Sequence, residues 1–201
     1  MARSGAPVSQ TWQRVALGLG LGLAILGALY VGTKGLPSIG GASAQSAAAS
    51  AEERQQQAQL DQRRVAELKA LVEKDPTNKD ALFELGEIYI EAGKWQESLD
   101  WLTRFLALEP ASLQARMDVG TDNFNLGRTG EAKAAWEEVA RRNPSDPQIH
   151  YNLGFLYANA PAYRDLAAAR REWGKVRELA PNSELAKIAQ SSLDALPKAG
   201  Q

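Results

Sequence analysis

The chain of 201 residues contains no cysteine and a single histidine, His150. Without cysteine it has no disulfide, no thiolate nucleophile and no sulfur through which a lipid or a haem could be attached. A catalytic site needs several groups within reach of one another, and no Ser/Asp arrangement accompanies the histidine at an informative spacing. The composition therefore predicts that the protein is not an enzyme and holds no metal and no cofactor.

An excess of basic residues is also missing, since 23 Lys and Arg stand against 24 Asp and Glu. Three of the basic residues, Arg3, Arg14 and Lys34, precede the first acidic residue, Glu52. The remainder of the chain thus has 20 basic and 24 acidic residues, a net charge of −4. Nucleic acid is not expected as a partner, because its phosphates require a basic surface.

The aspartates do not follow the spacing of a calcium-binding loop. Four of them lie near the ends or on the polar sides of predicted helices: Asp75, Asp118, Asp122 and Asp146. We expect these four side chains to lie in turns or on solvated helix faces.

Long apolar runs are scarce, and residues 15–32 form the one uncharged stretch of 18 residues. As a helix this stretch is about 27 Å long, enough to cross the hydrocarbon core of a bilayer. Trp12 and Tyr30 flank it at the depth where aromatic rings favour the membrane interface. Because Arg3 and Arg14 precede the run, we predict a single transmembrane helix with residues 1–14 in the cytoplasm and the following domain outside it.

The same region has a second interpretation, a cleaved secretory signal. Ala42, Ser43 and Ala44 match the small-residue cleavage pattern, which would make Gln45 the first residue of a secreted chain. We favour the membrane anchor because the apolar run exceeds the roughly 7 to 15 residues of a signal core.

Small residues recur along the apolar run at Gly18, Gly22, Ala24 and Ala28. Such a stripe lets another membrane helix pack closely, and it predicts lateral association within the membrane. Glycine and alanine are also common filler in membrane spans, so both interpretations stay open.

The segment after the apolar run is rich in Gly, Ala and Ser. Residues 33–51 carry a single charge, which is typical of a flexible tether. Residues 52–197 remain for one folded domain, and residues 198–201 for a short tail.

Two residue types mark a regular period in this domain. The spacing is 34 residues for the prolines Pro76, Pro110 and Pro144 and for the glycines Gly86, Gly120 and Gly154. Such a period is typical of a repeated helix–turn–helix unit that ends at each proline. A glycine within a helix costs about 1 kcal/mol relative to alanine, so its regular placement predicts that a neighbouring helix approaches the backbone there.

The residues around these glycines resemble the tetratricopeptide repeat (TPR) family. Leu85-Gly86 is followed by Tyr89, as the family pattern requires, and the third unit repeats this pattern at Leu153-Gly154 and Tyr157. The second unit departs from it, with Asn123 in place of the tyrosine, and the third is three residues longer around residues 160–164. The resemblance implies an all-α solenoid of three full repeats, preceded by a half repeat from residue 52 and closed by a capping helix.

In this family the first helix of each repeat lines the concave side of the solenoid. The resemblance therefore implies a partner-binding groove formed by Phe83, Glu87, Ile90, Met117, Thr121, Phe124, Tyr151, Phe155 and Asn159. Such an apolar, aromatic groove suits an amphipathic helix or an extended apolar peptide. The alternative is that some of these side chains pack within their own repeat or receive the terminal helix.

Two further expectations follow from the resemblance. The family members that clamp a terminal carboxylate use lysine where this chain has Phe83, Met117 and Tyr151, so binding of that kind is disfavoured. His150 occupies a position that the family usually fills with a large packing residue, so we expect a structural role for it.

The predicted function is that of a membrane-anchored adaptor that binds a protein or peptide. Its order of short tail, span and external repeats is similar to that of the bacterial TPR subunits that present apocytochromes during c-type cytochrome maturation. Two alternatives stay open: a structural accessory subunit of a larger membrane complex, and a chaperone-like accessory of protein export.

Overall fold

A computed structural model of the chain describes residues 61–197, and these residues form a helical array. They contain eight α-helices, one 3-10 helix and no β-strand. The helices are α1 (residues 61–74), α2 (Lys79–Glu91), α3 (Trp95–Leu108), α4 (Leu113–Asn125), α5 (Thr129–Arg142), α6 (Pro147–Asn159), α7 (Leu166–Leu179) and α8 (Glu184–Ala195).

The three prolines of the 34-residue period lie in the turns that precede α2, α4 and α6. After each turn a polar side chain accepts a hydrogen bond from a backbone N–H of the new helix: Asn78 at 3.0 Å, Ser112 at 3.2 Å and Asp146 at 2.8 Å. Each such cap contributes about 1 kcal/mol. Sequence and structure therefore agree on where the first helix of each repeat begins.

The turns inside the repeats differ. Gly93 and Gly127 have φ of +68° and +77°, a left-handed conformation that glycine adopts without steric cost. The third repeat has no glycine there, and its three additional residues are accommodated around the 3-10 helix Pro161–Tyr163. Asp165 then caps α7 by accepting from the N–H of Ala168 at 2.9 Å.

The periodic glycines lie where the two helices of a repeat approach closely. A Cβ atom at Gly86 would lie 2.5 Å from Leu102 Cδ2, and one at Gly120 would lie 2.3 Å from Trp136 Nε1. At Gly154 the distance to Trp173 is 2.6 Å. All three distances are shorter than a van der Waals contact, which confirms the predicted close approach.

The flanking helices α1 and α8 complete the core at either end of the three repeats. Leu68 and Val72 of α1 are buried in a cluster with residues of α2, as a half repeat requires. At the other end, Ala189 of α8 is buried in a cluster with Trp173 and Val176 of α7. Both flanking helices thus cover apolar surface that the three repeats would otherwise expose.

Within residues 61–197, no helix has both the length and the apolar character of a membrane span. The predicted span 15–32, the tail 1–14, the tether 33–51 and the cleavage residue Ala44 lie outside the described residues. The same holds for the stripe of Gly18, Gly22, Ala24 and Ala28 and for residues 198–201.

Candidate interaction groove

Three phenylalanines of the first helices, each at a different position of its repeat, remain partly exposed: Phe83 on α2, Phe124 on α4 and Phe155 on α6. The rings of Phe124 and Phe155 contact edge to face, with centroids 5.4 Å apart. Trp136 stacks against Phe124 at 5.6 Å and supports it. The result is an aromatic surface that continues from α4 to α6.

Four other residues of the predicted groove are almost fully buried. Ile90, Met117, Thr121 and Tyr151 expose 6%, 4%, 6% and 8% of their surface. The Thr121 hydroxyl donates to the Met117 carbonyl at 3.1 Å, and Tyr151 packs against Trp173. Their main role is therefore packing within and between the repeats. Glu87 is partly exposed and Asn159 is exposed, so these two remain available on the same helices.

The terminal helix covers the groove at its α6 end. Tyr151 and Phe155 pack in one cluster with apolar residues of α8, among them Leu185, Ile188 and Leu193. The open part of the candidate groove is thus formed by α2, α4 and the exposed edge of Phe155.

Two carboxyl groups of α4 are buried, contrary to the expectation that Asp118 and Asp122 lie on solvated faces. Asp118 exposes 5% of its surface and Asp122 none. Burial raises the pKa of Asp118 to about 8, opposed by a hydrogen bond from Gln114 and reinforced by the charges of Glu87 and Asp122. Burial also raises the pKa of Asp122 to about 7.

The repeat register contained a signal for the burial of Asp122. The residues 34 positions before and after it are Ile88 and Leu156, both apolar. The position therefore lies at a joint between repeats, where α4 packs against the preceding repeat. The other two aspartates were predicted correctly, because Asp75 accepts from Thr77 in a turn and Asp146 caps α6.

His150 is buried and hydrogen-bonded at both ring nitrogens. Its Nδ1 lies 2.7 Å from Glu172 Oε2 and its Nε2 lies 2.8 Å from the carbonyl oxygen of Pro144. Two acceptors next to the two ring nitrogens favour the imidazolium, and the hydrogen bond to Glu172 raises the pKa of the ring. The charged ring therefore stabilises the fold below the ordinary histidine pKa, and this contribution is lost as pH rises through the raised pKa.

This arrangement accounts for the histidine structurally. It joins the turn before α6 to α7, and Lys175 completes the network by donating to Glu172 at 3.0 Å. Among the described residues there is no group of three or more His, Asp or Glu placed to hold a metal ion.

A family model described as "Tetratricopeptide repeat" matches residues 57–112 and 119–184. The fold is similar to MamA from Desulfovibrio magneticus RS-1, with 18% identity, a TM-score of 0.57, and coverage of 71% of this chain and 81% of that one. It is also similar to PcrH, solved in complex with the chaperone binding region of PopD, with 21% identity, a TM-score of 0.52, and coverage of 58% of this chain and 88% of that one.

One curated relative is the cellulose synthase operon protein C of Salmonella typhimurium. It is 29% identical over 89 residues, which make up 44% of this chain. The match spans 7% of the length of that relative, so it concerns the repeats and not the whole protein.

Proposed function

Because the chain belongs to the tetratricopeptide repeat family, whose repeats typically serve as interaction scaffolds and not as enzymes, we propose that it is an adaptor that holds a segment of another protein in the groove of α2 and α4. The observation that carries this proposal is the partly exposed aromatic series Phe83, Phe124 and Phe155. Each ring lies on a first helix, and two of them form a continuous surface.

Aromatic side chains on a rigid support make effective anchors for a partner. They offer a large contact area, and a ring held from behind loses little conformational freedom on binding. Phe124 meets this condition through Trp136, and Phe83 meets it through Phe105, whose ring centroid lies 5.1 Å away. The PcrH structure supports this general mode of binding, because that similar fold was solved with a segment of another protein bound.

The location and pathway belong to the proposal as well. We place the repeat domain outside the cytoplasm, held by the span 15–32 and the tether 33–51. The sequence order of tail, span, tether and repeats supports presentation of apocytochromes in c-type cytochrome maturation. A structural accessory subunit or an export chaperone remains the competing assignment.

Selection of short random displayed peptides on the immobilised full-length chain tests the adaptor function. The enriched peptides are synthesised, and their affinities are measured on the wild type, on Phe83→Ala/Phe124→Ala and on Tyr163→Ala. We expect the double variant to weaken binding at least about tenfold, because it removes two anchors. Tyr163 is an exposed aromatic residue of the 3-10 helix, outside the groove, so its variant should bind within about twofold of the wild type.

Equal binding to all three proteins, or no enriched peptide, would contradict the groove assignment. The pathway is tested with the same variants, each expressed in a strain that lacks the gene. Failure of the double variant to restore haem attachment to c-type cytochromes supports the maturation assignment. Normal cytochromes in the strain without the gene reject that pathway and leave the adaptor function standing.

A further inference from the structure

We propose that the bound segment presents a lysine or arginine side chain, which pairs with Glu87 and Asp118 between α2 and α4 while neighbouring apolar side chains contact Phe83 and Phe124. This inference rests on the proposed function and specifies the chemistry of the partner. Its evidence is the arrangement of carboxylates beside the aromatic surface.

The carboxylate of Asp118 is incompletely satisfied. Its Oδ2 accepts a hydrogen bond from Gln114 Nε2 at 2.9 Å, and its Oδ1 has no hydrogen-bond partner within residues 61–197. Asp118 is 95% buried, as its 5% exposure implies. Neither Asp118 nor Glu87 forms a salt bridge with a lysine, arginine or histidine of the described part of the chain. The charge of Glu87 on α2 thus acts on Asp118 on α4, and neither carboxyl group has a basic partner within residues 61–197.

At the interface between α1 and α2, the charge of the acidic residue equivalent to Asp118 is neutralised by a basic residue. There Arg64 of α1 donates from Nη2 to Glu84 Oε2 at 2.6 Å. A shift of 34 residues converts Glu84 into Asp118 and Arg64 into Ser98. The acidic residue is thus repeated at the α3–α4 joint, but the basic residue is replaced by an uncharged hydroxyl.

A cation of the partner can approach Asp118 from the side of Glu87. On α3, the position equivalent to Arg64 carries no charge, because it is the fully buried Ser98. Glu87 is partly exposed on α2, and its charge acts on Asp118. A cationic side chain therefore reaches Asp118 from the groove, past Glu87, and its charge compensates both carboxylates.

Aromatic residues lie on the same two helices. Phe83 precedes Glu87 by about one helical turn on α2, and Phe124 follows Asp118 by less than two turns on α4. A lysine or arginine keeps its methylene stem on apolar surface while its charged end reaches a carboxylate. The net negative charge of the chain after Lys34 also favours the approach of a basic partner.

Pairing of this kind changes the protonation of Asp118. The groups that act on Asp118 are Gln114 and Asp122 on its own helix and Glu87 on α2. Because the pKa of free Asp118 is about 8, a cation that binds near neutral pH displaces a proton from it. Affinity for a basic peptide should therefore increase as pH rises from about 6 to about 9, below the ordinary lysine pKa of about 10.4.

A pair of matched peptides tests the inference. The first is the tightest lysine-containing peptide from the selection described above, and the second carries glutamine in place of that lysine. Dissociation constants are measured by calorimetry on the full-length wild type, on Asp118→Asn, on Glu87→Gln and on the control Glu178→Gln. Glu178 is exposed on α7, so its variant removes one negative charge away from the groove.

On the wild type we expect the lysine peptide to bind about tenfold more tightly than the glutamine peptide, with the ratio rising toward pH 9. The ratio should fall to about one in Asp118→Asn and decrease in Glu87→Gln, and it should remain at the wild-type value in Glu178→Gln. Thermal unfolding by circular dichroism verifies the fold of each variant, and Glu87→Gln carries the test if Asp118→Asn does not fold.

Three results would overturn the inference. The first is a selection whose groove-binding peptides show no enrichment of lysine or arginine. The second is an unchanged preference for lysine in both Asp118→Asn and Glu87→Gln. In both cases the proposed adaptor function stands, because binding still depends on Phe83 and Phe124. The third is peptide binding that survives Phe83→Ala/Phe124→Ala, or no binding at all, which removes the adaptor function together with the inference.

Discussion

At the scale of single residues, the interface between α3 and α4 buries a carboxyl group, that of Asp122, with few hydrogen bonds to offset the loss of solvation. Neither oxygen of Asp122 forms a hydrogen bond of normal geometry, and the same is true of the neighbouring Ser98 hydroxyl. Ser98 lowers the pKa of Asp122 and offsets only part of the effect of burial, so that the pKa remains about 7. Folding therefore favours the protonated form of this side chain.

Replacement of Asp122 by asparagine should make the protein more stable at high pH. Because the pKa of Asp122 rises from 3.8 in its ordinary state to about 7 in the fold, its contribution to wild-type stability decreases as pH rises between these values and is constant above them. Asparagine imitates the protonated form, so the free energy of unfolding should increase by about 2–4 kcal/mol at pH 8 and be nearly unchanged at pH 4. Urea unfolding followed by tryptophan fluorescence at several pH values measures this.

The matched control is Asp100→Asn, the same change at an exposed aspartate of α3. Its unfolding free energy should follow the wild-type pH dependence. If Asp122→Asn has the same pH dependence as that control, Asp122 is not protonated in the fold at neutral pH. The slope that remains in Asp122→Asn should include the contributions of Asp118 and His150, whose pKa values are also raised.

At the scale of helices, the distance between the two helices of a repeat is set by a glycine on one and a large side chain on the other. Trp136 lies over Gly120 and donates its indole N–H to the Met117 carbonyl at 3.0 Å. Trp173 has the same relation to Gly154 and donates to the Tyr151 carbonyl at 3.2 Å. The carbonyl that orients each tryptophan therefore lies three residues before the glycine that admits no Cβ atom.

The substitution Gly120→Ala should destabilise the protein by about 1–3 kcal/mol, since Trp136 must move away from α4. Gly174 of α7 provides the control, because a Cβ atom there meets nothing within 4 Å. Gly174→Ala should raise stability by roughly 0.5–1 kcal/mol, as expected of an open position inside a helix. Thermal or urea unfolding of both variants gives the comparison, and a neutral or stabilising Gly120→Ala would contradict the packing argument.

The helices were predictable from the sequence because their constraints are local. Proline ends a helix wherever it occurs, and a regularly spaced glycine marks close packing, so Pro110 and Gly120 each determine structure within a few residues. The groove was less predictable, because burial of Tyr151 depends on α8, which comes more than thirty residues later. Burial of Asp118 likewise depends on α2 and α3, and a polar residue on a helix face does not reveal its neighbours.

At the scale of the whole molecule, each repeat contacts the next along the solenoid, and the ends are completed by α1 and α8. Such a domain acquires its core step by step from nearest neighbours. Its first helices α2 and α4 form the open part of the groove, and α8 packs against α6. The remaining part of the chain, residues 1–60, includes the segment for which we predict membrane anchoring.

Membrane anchoring can be tested on the full-length chain in its native host. We expect the protein to remain in the membrane fraction after alkaline carbonate extraction and to have the intact mass of the uncleaved chain. Protease added to the outer side of the membrane should degrade the repeat domain and spare the N-terminal tail. A soluble protein whose mass corresponds to a chain beginning at Gln45 would instead establish signal cleavage after Ala44.

The position of α8 gives the groove a polarity. Because α8 packs on the face of α6 that carries Tyr151 and Phe155, a bound segment would contact α8 at the α6 end of the groove, whereas the α2 end is not covered by α8. The groove then limits the length of a bound segment as well as binding it. In the proposed binding mode, a segment anchored by its cationic residue between α2 and α4 can extend only a limited number of residues before it reaches α8, which would favour a partner whose chain ends there.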